Sequence, residues 1–163
     1  MSSNKLDFLL RKNKGKDLLK DYKKMFLSAG FKDEELTYIE LERSDNVIEQ
    51  IKQSFPSINE EVEVLDGSIS FAESRLLSSV FRPENDGRSC YMFSDDVYYC
   101  GMYLVKYRIA KEYCLNVAEL GYSNTCFIVD ADFNFSFTIN YHGKEESEFQ
   151  DMFNIQLKQR SNI

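Results

Sequence analysis

The one histidine of this 163-residue chain, His142, closes the stretch CFIVDADFNFSFTINYH (126–142), which also holds Asp130 and Asp132. An imidazole oriented by a carboxylate is the smallest kit for general acid–base catalysis. Nothing else in the sequence extends that kit. No serine is flanked by glycines as in a nucleophile elbow, and the seven glycines form neither GxGxxG nor GxxxxGK. Cys90, Cys100, Cys114 and Cys126 are spaced 10, 14 and 12 apart, which fits neither paired zinc ligands nor a CxxC redox pair. Two-carboxylate glycosidase chemistry remains compatible with 27 acidic residues, because such pairs meet in space rather than in sequence. The expectation is a chain that is not an enzyme, with no catalytic residues, no metal and no cofactor, and with reduced, mostly buried thiols.

The same stretch reads first as a hairpin. Phe133, Phe135, Phe137 and Ile139 alternate with Asn134, Ser136, Thr138 and Asn140, the pattern of a strand with one buried face. Asp130 and Asp132 then flank a turn at ADFN, and His142 falls just past the strand end. Upstream, SDDVYYCGMYLVKYRIAKEYCLNVAELG (94–121) predicts one long helix, with Tyr103, Tyr107, Ala110, Cys114 and Val117 as its buried stripe. Downstream, residues about 144–159 predict a closing helix with Phe149, Met152, Phe153 and Leu157 inward.

Residues about 5–29 predict an amphipathic basic helix, broken at Gly15 and capped by Gly30. A short strand over 36–41 and a helix capped by Ser44 or Asp45 and stopped by Pro56 follow. Asp66-Gly67 between alternating apolar residues predicts a hairpin turn. Strands over 76–81 and 90–93 bracket a polar loop at 82–89. Helices flanking runs of strands, without regular alternation, predict a single α+β domain over 1–163. Its antiparallel sheet should have about five to six strands flanked by helices.

Charge is unevenly spread. Residues 1–32 hold nine Lys/Arg against three acids, a balance of +6, whereas residues 33–163 hold eleven against twenty-four, a balance of −13. An acidic body disfavours direct contact with nucleic acid and favours a basic protein surface. Two acidic, tyrosine-bearing stretches are the candidate partner-binding surface. One supplies Glu84, Asp86, Asp95, Asp96, Tyr98 and Tyr99; the other supplies Tyr141, Glu145, Glu146, Glu148 and Asp151. A helix cap with first-turn acids accounts for the same residues structurally. The lysines of the N-terminal helix share their face with Asp17 and Asp21, which favours a solvated face on a core helix over a nucleic-acid or membrane contact. No apolar run reaches membrane-spanning length, and the start MSSNKLDFLLRKNKGK turns basic after Leu10 and does not resemble an export signal, so a cytoplasmic protein without membrane contact is expected.

The order of Tyr103–Leu120, then Cys126–Asp130, then Phe133–Tyr141 resembles the C-terminal part of the YezG-type immunity proteins, over roughly the last third of the chain. The wider class resembled is the small acidic immunity proteins of contact-dependent growth inhibition and polymorphic toxin systems. That resemblance implies an antitoxin whose partner is a cognate toxin domain, a nuclease with a basic cleft. The alternative is a non-catalytic adaptor whose basic N-terminal helix touches nucleic acid or a membrane.

Overall fold

The computed structural model describes residues 3–56, 62–68, 81–144 and 151–160. Its scaffold is one antiparallel sheet. The strands are β1 (Thr37–Ile39), β2 (Val62–Ser68), β3 (Ser89–Phe93), β4 (Met102–Lys106), β5 (Thr125–Asp130), β6 (Phe135–Lys144) and β7 (Asp151–Gln159), in the order β1-β4-β3-β5-β6-β7-β2. Every neighbouring pair is antiparallel. Helices α1 (Ser3–Ala29), α2 (Leu41–Ser54), the single-turn α3 (Val97–Cys100) and α4 (Tyr107–Leu120) complete the α+β architecture expected from sequence.

The strand alternation divides the core between the two faces of the sheet. One face sets Cys90, Met92, Tyr103, Val105, Ile128, Phe137, Ile139, Ile155 and Leu157 against α1 and α4. The other sets Ile39, Met102, Phe93 and Val129 against Val47 and Phe55 at α2. On that second face the composition changes across the β5–β6 boundary: β6 and β7 present Ser136, Thr138, Asn140, Asn154 and Gln156. Apolar residues are placed where α2 lies.

Several local expectations are corrected. The stretch 94–121 is not one helix: α3 ends at Gly101, whose φ of 74° and ψ of −153° stop it, and β4 follows before α4 begins. Tyr103 is therefore a strand residue, paired with Met92 and Tyr38. Residues 151–159 form β7 rather than a helix, with Phe153, Ile155 and Leu157 buried at strict period two. Residues 145–150, and with them Phe149, lie outside the described residues.

Asp66-Gly67 makes no turn; both residues lie within β2, opposite Asn154 and Phe153. Helix α2 starts earlier than expected, capped at Glu40, while Ser44 inside it donates its hydroxyl to the Ile39 carbonyl at 2.9 Å. Phe133 sits in the β5–β6 turn at φ 59°, and β6 continues through His142 to Lys144. The expected strand at 76–81 lies outside the described residues except for the buried Phe81.

Helix α1 is not divided at Gly15. The glycine is a point of contact: a Cβ there would collide with the carbonyl oxygen of Tyr99, so α1 lies directly on α3. Seven residues on, Tyr22 accepts the Ser94 amide and donates to the Gly101 carbonyl, both at 3.2 Å, locking the same pair. Gly30, at φ 125°, ends α1 with Phe31 N–H bonded back to Phe26. Gly15→Ala is expected to destabilise by about 1–3 kcal/mol in urea unfolding. The forced separation from Tyr99 outweighs the gain in helix propensity of about 1 kcal/mol. A stabilised variant would mean that α1 does not touch α3.

Candidate interaction surface

The strand directions sort the chemistry-bearing residues to two opposite ends of the sheet. β3 and β6 finish, and β5 and β7 begin, at what is called here the lower end. His142, Asp95, Asp96, Tyr98, Tyr99, Tyr141 and Asp151 belong to this end. Glu84, Asp86, Arg88, Asp130 and Asp132 belong to the upper end.

His142 therefore cannot use either hairpin carboxylate. Thr125 pairs with Asn140 near the histidine, and Asp130 is five residues further along β5, about 16 Å away at the rise of a strand. Asp130 has structural work instead. It is 1% exposed, and its Oδ2 accepts the Asn134 side-chain amide at 2.7 Å, the Asn134 backbone N–H at 3.2 Å and Arg88 at 3.3 Å. These bonds hold the β5–β6 turn, in which Phe133 N–H also bonds the Asp130 carbonyl. Asp132 is largely exposed, 3.7 Å from the same arginine.

The acidic stretch 83–99 does not form one patch. Glu84, exposed in a 3-10 turn, and Asp86 precede β3, whereas Asp95 and Asp96 follow it, so the pairs are separated by its five residues, about 16 Å. Asp86 is also consumed internally by an ion pair with Lys111. At the lower end Asp95 is exposed and Asp96 half-buried at the start of α3.

The tyrosines differ in their freedom. Tyr98 is 56% exposed, with the Arg11 guanidinium 4.6 Å from its ring centre and Asp45 holding that arginine at 2.6 Å. Tyr99 is half-buried, covered by Lys14, and its backbone is pinned on Gly15. Tyr141 is half-buried, packed 5.1 Å from Phe153. Tyr98 is the most exposed of the three, although Arg11 covers one side of its ring and Tyr99 packs edge-on against it at 4.9 Å. Glu145, Glu146 and Glu148 lie outside the described residues, and of Asp151 only the backbone, at the start of β7, is described.

The thiols are sequestered. All four cysteines are free and buried, and burial pushes Cys100 and Cys114 up to about 12, with Cys90 and Cys126 also raised. They stay protonated and unreactive. Among the described residues no group of three His, Cys, Asp or Glu could hold a metal ion, and no helix is long and apolar enough to cross a membrane.

What sequence reasoning missed is a groove between α1 and the β1–α2 corner, lined by Lys12 and Lys16 on one side and by Glu40 and Glu42 on the other. The spacing of Lys12 and Lys16 puts both on one helical face, which is readable. That Glu40 and Glu42 stand opposite depends on tertiary packing alone. Comparison with known protein families, with curated proteins and with solved structures finds no match to this chain.

Proposed function

We propose that this chain is a cytoplasmic immunity-type protein that neutralises a cognate bacterial toxin domain, a nuclease, by covering its basic cleft with the lower end of the sheet. The observation that carries the reading is the exposed Asp95 and Tyr98 with the half-buried Asp96 at one edge, on a body whose residues 33–163 sum to −13. Negative potential accelerates encounter with a phosphate-binding surface, and the exposed Tyr98, braced by Arg11 and Tyr99, supplies the anchor that the complex desolvates. Two expected contributors drop out, because Glu84 and Asp86 stand at the opposite end of β3.

The test is co-expression with the domain encoded beside this chain. Growth should be restored and the two polypeptides should co-purify; a harmless neighbour that forms no complex sinks the reading. With the complex in hand, Asp95→Lys with Asp96→Lys should slow association about tenfold at low salt and leave the unfolding midpoint unchanged. An unchanged association rate would move the interface away from this edge.

One observation favours the adaptor reading. Leu6, Leu9 and Leu10 are 51%, 46% and 60% exposed on α1, among Lys5, Lys12 and Lys16. Salt-dependent binding to anionic vesicles, lost in Leu6→Ser with Leu10→Ser, would support an interfacial role for that helix; the immunity reading expects none.

A further inference from the structure

The groove between α1 and the β1–α2 corner encloses about 250 Å3. Its apolar lining comes from Phe8, Leu19, Tyr38, Leu41 and Tyr99, and the close approach at Gly15 brings its walls together. Lys12 and Lys16 edge it on α1, and Glu40 and Glu42 edge it on the other side. Among the described residues none of these four takes part in an ion pair. Tyr38, an edge-strand residue paired only on its β4 side among the described residues, leaves 43% of its surface open there.

Volume and charge together narrow the occupant. The space is smaller than the roughly 300–1,000 Å3 of a small-molecule site, but suits one large side chain. A phosphate-bearing ligand or an anionic lipid surface would meet the lysines but be repelled by Glu40 and Glu42. A polycation would meet the reverse. An apolar anchor with opposite charges on its two sides satisfies both edges, and that combination belongs to a polypeptide.

We infer that this groove docks one aromatic side chain of a partner polypeptide, with an acidic residue of that partner against Lys12 and Lys16 and a basic residue against Glu40 and Glu42. The groove adjoins the Asp95–Tyr98 edge through Tyr99, but its charged margins Lys12, Lys16, Glu40 and Glu42 are not part of that edge. Reversing the lysines therefore tests the groove, and reversing Asp95 and Asp96 tests the edge.

The probe is the blocked pentapeptide Ac-Glu-Ser-Trp-Ser-Lys-NH2, whose extended form sets Glu, Trp and Lys on one face. Titration of the full chain, followed by amide NMR shifts, should give saturable changes at Gly15, Tyr38, Leu41 and Tyr99 with a Kd below about 10 mM. Replacing Trp by Ala in the peptide should weaken binding about tenfold. Lys12→Glu with Lys16→Glu, both exposed positions, should shift the preference toward the peptide in which Glu is replaced by Lys. Three results would each overturn the assignment: no saturable shift, shifts confined to other residues, or a preference untouched by the charge reversal.

Discussion

Gly101→Ala is expected to destabilise the protein by about 4 kcal/mol, read from the urea midpoint at constant slope. Two costs combine. At φ 74° and ψ −153° the backbone occupies a region that L side chains rarely adopt, worth about 1–3 kcal/mol. An added Cβ would also stand 2.5 Å from the Ile39 carbonyl oxygen, which belongs to the adjoining strand and cannot swing aside. The sign of the effect carries the information. Were 94–121 a continuous helix, Gly101 would be an interior helical glycine, and alanine would stabilise by about 1 kcal/mol. A gain in stability would therefore overturn the break between α3 and β4.

Phe137→Ala should cost about 3–5 kcal/mol. The ring is 2% exposed near the start of β6, 4.6 Å from Phe81 and 5.5 Å from Phe135 by ring centres. Truncation beside Phe81, Phe135 and Tyr107 leaves a cavity that β6, held by β5 and β7, cannot collapse to fill. The neighbouring Thr138→Ala, on the opposite face, should change stability by less than about 1 kcal/mol. Equal effects at the two positions would mean that the strand is not registered as described, since a one-residue slip exchanges the faces.

What could be read beforehand was whatever a single local period determines. The β5–β6 hairpin was legible because Phe135, Phe137 and Ile139 repeat at period two while Ser136, Thr138 and Asn140 fall between them. Helix α1 was legible from its spacing and from Gly30. The stretch 94–121 misled because Tyr103, Tyr107, Ala110 and Cys114 recur near helical spacing although the first belongs to a strand. Burial of both Tyr103 and Val105, two apart, is the strand signature there. In 151–159 the alternation of Phe153, Ile155 and Leu157 with Asn154 and Gln156 was present in the letters. The acids at 145–148, so like a helical first turn, masked it.

At Asp66-Gly67 strong turn chemistry loses to pairing with a strand about ninety residues away, a contest no local window contains. The candidate surface shared that fate. Residues close in sequence, Asp86 and Asp95, are sent to opposite ends by the one short strand between them. Lys12 and Glu40, far apart in sequence, are brought to the two sides of one groove.

The strand order has a consequence for how the chain assembles. β3 to β7, the central and C-terminal strands, form a contiguous block, and both edges are filled from the N-terminal portion: β1 beside β4 and β2 beside β7. Closing those long loops carries an entropic cost before any contact rewards it, which is the feature that slows folding in β-rich topologies. Among the described residues, β2 has no strand neighbour until Asp151–Gln159 has emerged from the ribosome. Of the two edge strands, β1 can pair once Met102–Lys106 is made, whereas β2 waits for the last strand of the sheet.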